Sequence, residues 1–233
     1  MTIKVIATDM DGTLLDARGQ LDIPRLEKIL DQLDQRGIRF VIATGNEIHR
    51  MRQLLEHLVD RVHLVIADGI FVPNMTMVGF NEIETIETIL KFQVHLMVSK
   101  PENHMVRWLE TPADSFTFHI EATNQALGII EKVRETDKKV GLALNPQTPL
   151  SIIESLINEI DFVHFMTVEP GFYGSPFLEE VLDKMSDFHY FYPDKPIVVD
   201  GGVTPETAPK LVQAGASVLV VGSYIFENSN PEK

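Results

Sequence analysis

The chain of 233 residues contains no cysteine, which excludes disulfides and thiolate metal ligands and leaves histidine and carboxylates to hold any metal. That composition suits a reducing cytoplasm. No apolar run is long enough to span a bilayer, and the opening Met-Thr-Ile-Lys-Val-Ile lacks the basic region, apolar stretch and small-residue cleavage site of an export signal. A soluble, cytoplasmic protein is expected. Basic residues are scarce, 20 Lys and Arg against 34 Asp and Glu, giving a net charge of −14. Such a field repels nucleic acid and anionic membranes, so neither is an expected partner. A phosphate-bearing ligand must be held by backbone amides, a metal or a few local cations. No linker, low-complexity tract or charge block divides the chain, and 44% hydrophobic content suffices for one full core.

What is present is an alternation of short β-branched runs with helix-period segments, the pattern of parallel strands joined by helical crossovers. Nine strands are predicted: Lys4 to Met10, Arg39 to Gly45, Val62 to Asp68, Gln93 to Val98, Ser115 to Ile120, Val140 to Asn145, Phe162 to Val168, Pro196 to Asp200 and Ser217 to Gly222. Between Asp22 and Gly37, the residues Ile23, Leu26, Ile29, Leu30 and Leu33 fall on one helical face. Asp22 is placed to cap that helix and Gly37 to stop it. A second helix is expected from Asn46, with Ile48, Met51, Leu55 and Leu58 inward, and a last one opens at Thr204-Pro205-Glu206 before Gly215.

At the end of the first strand stands Asp9-Met10-Asp11-Gly12-Thr13. Two carboxylates one residue apart at the carboxyl end of a strand point the same way, so one can attack phosphorus while the other handles the leaving-group proton. With Val41-Ile42-Ala43-Thr44-Gly45-Asn46 at the next strand end, this segment resembles the haloacid dehalogenase superfamily, its sugar phosphatases in particular, over roughly residues 1 to 68. The resemblance implies Asp9 as nucleophile, Asp11 as general acid/base and Thr44 as a phosphate donor. That superfamily also needs a later acidic magnesium loop, and nothing after Asp68 reads like one. Retained magnesium is therefore not expected, and without it Asp9 would meet an anionic phosphate with uncompensated repulsion.

From about Val62 onward a second set of blocks appears. These are Asp68-Gly69-Ile70-Phe71-Val72-Pro73-Asn74, Val94-His95-Leu96-Met97-Val98, Phe118-His119-Ile120-Glu121-Ala122, Gly141-Leu142-Ala143-Leu144-Asn145-Pro146, Met166-Thr167-Val168-Glu169-Pro170-Gly171-Phe172, Val199-Asp200-Gly201-Gly202-Val203 and Gly222-Ser223. Together they resemble ribulose-phosphate 3-epimerase, a (β/α)8 barrel. That family removes a proton beside a carbonyl and returns it to the opposite face, which takes two carboxylates and a divalent metal. The resemblance implies His63, His95 and Asp200 as metal ligands, with zinc, iron or manganese as the metal and no organic cofactor. It makes Asp200 an acid/base as well, and sets Met97 and Met166 along the substrate. It puts phosphate on the backbone of Gly171, Gly174 and Ser175, on Gly201 and Gly202, and on Gly222 and Ser223, with a small sugar phosphate as partner.

The family's second acid/base falls at Val65, and its methionine at Ala67. Alternation puts His63, Val65 and Ala67 on one face and Asp68 on the other, so Asp68 cannot substitute without a one-residue slip. His119 and His164 lie in strands and read as core or rim histidines, Trp108 as core, and Phe188 to Tyr192 as the packing edge of a helix-to-strand connection. The stretch Val62 to Gly69 reads equally as the third phosphatase strand and the second epimerase strand. The expectation is therefore one TIM-barrel-like α/β domain over residues 1–233, with a Rossmann-like βαβαβ start and eight or nine strands. It would be an engineered fusion of two fragments, 1–68 and 62–233, that keeps phosphate-binding loops with little turnover. The alternative is a metal-dependent sugar-phosphate epimerase acting on ribulose 5-phosphate, or less readily a sugar phosphatase.

Overall fold

A computed structural model describes residues 5–9, 23–35, 39–44, 61–76, 91–171 and 175–221. Nine parallel strands are found: β1 Val5–Asp9, β2 Arg39–Thr44, β3 Arg61–Ala67, β4 Lys91–Met97, β5 Ser115–His119, β6 Lys139–Leu144, β7 Phe162–Met166, β8 Ile197–Asp200 and β9 Val218–Val221. They pair in chain order and β1 closes on β9, with Val5 opposite Val218, so all nine stand in one closed barrel. The choice between eight and nine strands is thereby settled at nine among the described residues. Each sequence-predicted strand is found, with ends differing by up to two residues.

The helices are α1 Ile23–Gln35, α2 Glu102–Leu109, α3 Ala126–Arg134, α4 Glu180–Phe191 and α5 Ala208–Gln213. Between β6 and β7 the crossover is two short 3-10 segments, Leu150–Ile152 and Glu154–Glu159, rather than an α-helix. In α1, Leu26 is buried and Leu30 packs on the core, as the periodicity predicts, but Ile29 is exposed. The helix expected from Asn46 lies outside the described residues. No helix among the described residues is long and apolar enough to cross a membrane.

Strand alternation divides the apolar residues into layers. Outward-facing Leu64, Ile66, Phe92, Val94, Leu96, Phe116 and Phe118 pack beneath the helices against Met105, Trp108, Ile130, Val133, Met185 and Phe188, which makes the main core. Trp108 is core, as expected. Of the aromatic run, Phe188 is buried, whereas Tyr190 and Phe191 are exposed at the end of α4, so only part of that run packs.

Inside the barrel, Phe162, Val198 and Val220 plug one end. Ala67, Val72, Met97 and Met166, with Val65 and Phe71, form an apolar cluster at the other. Between them the interior is polar: His63, His95, Thr117, His119 and His164 are all buried there. A polar middle layer is costly unless its groups find partners, so it marks where the barrel is built for something other than stability.

Candidate functional site

The strands deliver the site residues by register. His63 of β3 stands opposite Gln93 of β4, Val65 opposite His95 and Ala67 opposite Met97, so the β3 residues at 63, 65 and 67 face inward as the alternation predicts. Asp200 ends β8 opposite Met166 of β7, and His164 stands two residues below Met166 on the same strand. The donor atoms of His63, His95 and Asp200 all lie within 4.8 Å of one another. Those are the three residues that the resemblance implies as ligands.

Two further histidines join them. His95 Nδ1 is 3.9 Å and His164 Nε2 is 3.7 Å from Asp200 Oδ2. The rings of His95 and His164 lie 4.5 Å apart, and that of His119 stacks on His95 at 5.0 Å. His95 Nε2 and His119 Nε2 are 3.0 Å apart, so one donates and the other accepts. With Nε2–H of His95 as donor, His95 Nδ1 is left as a bare lone pair beside Asp200. His119 then carries its hydrogen on Nδ1, which faces Glu121 Oε2 at 3.5 Å. Glu121 is fixed in turn, because its other oxygen accepts from the Asn145 amide at 2.8 Å and from the Thr148 hydroxyl. Lys184 holds that loop by donating to the carbonyls of Asn145, Pro146 and Thr148 at 2.8–3.0 Å.

The electrostatics favour neutral imidazoles around an ionised carboxylate. Burial, reinforced by His164, pushes His63 down from 6.5 to about 4. Burial and then the neighbouring rings of His164, His119 and His63 push His95 well below its ordinary value. Burial also lowers His119, although Glu121 opposes the shift. For Asp200 burial works against ionisation, but the facing imidazoles, His164 first, outweigh it and hold the carboxyl below its usual range. Both ring nitrogens of His63 and Nδ1 of His95 are buried without a hydrogen-bond partner. Deprotonated, unpaired imidazoles beside a carboxylate are the donor set a divalent transition metal takes, so these residues fit such an ion.

The opposite wall is apolar. Val65 belongs to the cluster of Ala67, Val72, Met97 and Met166, and no carboxylate faces Asp200 from β3. Asp68 is occupied elsewhere: it accepts from the amides of Ile70 and Phe71 at 2.8 and 2.9 Å, and from the Ser99 amide at 2.8 Å. Burial alone would raise its pKa, but these backbone donors hold it low, so Asp68 anchors its loop.

At the mouth, Met97 and Met166, which the resemblance sets along the substrate, lie together in the apolar cluster. Gly201 follows Asp200 with φ 108°, and a Cβ there would come within 2.4 Å of Val168, so glycine lets the turn after β8 lie flat on the turn after β7. Gly202 backs onto Phe177. Gly171, at φ 103°, approaches Val72 and Pro73 so closely that a Cβ would stand 2.9 Å from each, which brings the loop after β3 against the loop after β7. Ser175 is described beyond that turn, while Gly174, Gly222 and Ser223 lie outside the described residues. So does Asp11. Asp9 ends β1 opposite Ala43, and Thr44 ends β2 opposite Leu64, at the same end of the barrel as Asp200.

Sequence reasoning placed His119 and His164 as core or rim histidines. Both are indeed buried, but His119 contacts His95 directly and His164 has neither ring nitrogen hydrogen-bonded. Inward parity in β5 and β7 was the available signal. Alternation gives the face, but not which inward residues meet across the lumen.

The structure superposes on phosphoribosyl anthranilate isomerase from Thermococcus kodakaraensis with a TM-score of 0.52 at 17% identity, covering 80% of this chain and 89% of that one. It superposes on a mutant tryptophan synthase alpha-subunit from Pyrococcus furiosus with a TM-score of 0.50 at 13% identity, covering 94% of this chain and 86% of that one. These likenesses bear on the fold alone. The family model for sucrose-6F-phosphate phosphohydrolase matches residues 2–66. The sequence is 36% identical over 198 residues to ribulose-phosphate 3-epimerase of Bacillus subtilis, covering 82% of this chain and 89% of that protein. It is 40% identical over 187 residues to that of Methanocaldococcus jannaschii, covering 78% and 79%. The ribulose-phosphate 3 epimerase family model matches residues 37–226, so it shares β2 and β3 with the phosphohydrolase match. The chain belongs to the ribulose-phosphate 3-epimerase family, with a phosphatase-like segment at its start.

Proposed function

We propose that this chain is a hybrid of a dehalogenase-type phosphatase fragment, 1–68, and an epimerase barrel, 62–233, folded as one cytoplasmic domain that binds sugar phosphates and carries out little or no net epimerisation. The observation that carries the reading is Val65, which stands on β3 beside His95 where the resemblance implies the second carboxylate. His63, His95 and Asp200 would hold a divalent zinc, iron or manganese ion, which when bound supplies positive charge for the developing enediolate oxygens. Gly171, Gly174, Ser175, Gly201, Gly202, Gly222 and Ser223 would carry the phosphate on their backbone amides. Met97 and Met166 would flank the sugar.

The chemistry left to the protein's own residues is one-sided. Asp200, low in pKa and with its side chain 19% exposed, can accept the C3 proton of ribulose 5-phosphate and exchange it with water. Val65 has no proton to deliver to the other face. The proton therefore returns from the side it left, and the substrate emerges unchanged in configuration. Asp9, Asp11 and Thr44 stand as inherited phosphatase positions whose magnesium half is absent from the sequence.

A metal-dependent epimerase is the second reading, favoured by the convergence of His63, His95 and Asp200. A coupled assay with ribulose 5-phosphate, with and without zinc, iron or manganese, separates the two. The hybrid reading expects no metal-stimulated formation of the epimer in the wild type and a response to Val65→Asp; robust wild-type epimerisation sinks it.

A further inference from the structure

We propose that His164 supplies the fourth protein ligand of the metal site, in place of the carboxylate missing at Val65, so that the ion sits on three imidazoles and Asp200. This rests on the reading of His63, His95 and Asp200 as metal ligands. His164 is wholly buried in the middle of the barrel, and neither of its ring nitrogens has a hydrogen-bond partner. A histidine sealed in a core with both nitrogens unpaired forfeits hydrogen bonds it would have in water, and a metal on Nε2 compensates for one of them. Its Nε2 points at Asp200, 3.7 Å from Oδ2, too far for a good hydrogen bond and close to the spacing of two ligands on one ion. With metal–ligand bonds of about 2.0–2.1 Å at a tetrahedral centre, donors sit roughly 3.3 Å apart and imidazole rings about 5 Å apart. The three rings of His63, His95 and His164 are separated by 5.7, 5.9 and 4.5 Å. His95 Nδ1 stands 3.9 Å from the same Asp200 oxygen.

The other buried histidine does not compete for this role. His119 is bound to His95 through Nε2 and faces Glu121 through Nδ1, which makes it an orienting partner of a ligand rather than a ligand itself. Replacing the β3 carboxylate by a β7 imidazole also lowers the negative charge of the ligand set by one. The ion would be drawn toward β7 and β8, away from the apolar wall of Val65.

The test is zinc K-edge X-ray absorption on the full chain loaded with one equivalent of zinc(II). The expected first shell holds three imidazoles and one carboxylate. Two imidazoles in the wild type overturn the proposal without any variant. His164→Leu, with His164→Gln as an alternative should the first fail to fold, is expected to lose one imidazole and more than about a hundredfold in zinc affinity, measured by chelator competition. A loss of only about tenfold with an unchanged imidazole count assigns His164 to the outer shell and overturns the proposal. His63→Gln separates the levels. If it abolishes binding while His164→Leu does not, the metal site stands and His164 is not in it; if wild type binds no zinc, both readings fall.

Discussion

Two stretches of the same barrel wall meet where β3 pairs with β4, and they differ in almost everything. On the side of β4, β7 and β8 stand His95, His164 and Asp200, buried and electrostatically coupled. On β3 His63 is polar and buried, and above it Val65 and Ala67 join Met97 and Met166 in an apolar patch. On the proposed reading, the first wall holds a charge and the second offers no group to return a proton. On that reading binding and inversion are separable, because the donor set His63, His95 and Asp200 is present while the position of the second carboxylate is Val65.

Asp200→Asn strikes the polar wall hardest. It removes the carboxylate proposed to ligate and abstract, so zinc affinity should fall by more than about a hundredfold, beyond the 10- to 100-fold typical of outer-shell losses. Equilibrium dialysis against a chelator reads the change. Repairing the apolar wall comes next: Val65→Asp should raise metal-dependent epimerisation by at least about a hundredfold, the usual scale of one general acid/base. A silent Val65→Asp in a correctly folded, metal-loaded protein would break the comparison. Glu121→Gln acts one step further out, weakening the hold on His119 and hence on His95. It should cost about tenfold in zinc affinity, with a change in the His95 tautomer visible in nitrogen-15 NMR.

The smallest effect is the acid sensitivity of the metal-free protein. His63 is depressed from 6.5 to about 4, so the folded state binds its proton less readily than the unfolded chain. Its contribution is fully present above the unfolded value and is lost as pH falls from about 6.5 to 4. His95 and His119 shift in the same direction. The urea midpoint should therefore drop between pH 7 and pH 4.5, and a midpoint that rises on acidification contradicts the buried neutral cluster.

Much of this was legible in the chain. Period-2 alternation in Val62 to Asp68 put His63, Val65 and Ala67 inward, as the observed register has them, while Asp68 is held by the amides of Ile70, Phe71 and Ser99. The set His63, His95 and Asp200 came from the family resemblance, and their donor atoms lie within 4.8 Å of one another. Barrel closure was not legible, since whether β1 displaces a strand or is added to the ring depends on the pairing of Val5 with Val218, more than two hundred residues away in sequence. His164 was missed for a related reason: its spacing within β7 says only that it points inward. The exposure of Ile29 is a further case, because helical periodicity locates a face but not how far the neighbouring layer extends over it.

The central claim is that proton abstraction survives on one wall while inversion is lost from the other. Incubating ribulose 5-phosphate with the zinc- or manganese-loaded protein in deuterium oxide tests it directly, with NMR following both deuterium at C3 and the appearance of xylulose 5-phosphate. The account predicts metal-dependent deuterium incorporation without the epimer, abolished in Asp200→Asn. Xylulose 5-phosphate forming as fast as deuterium enters would contradict it.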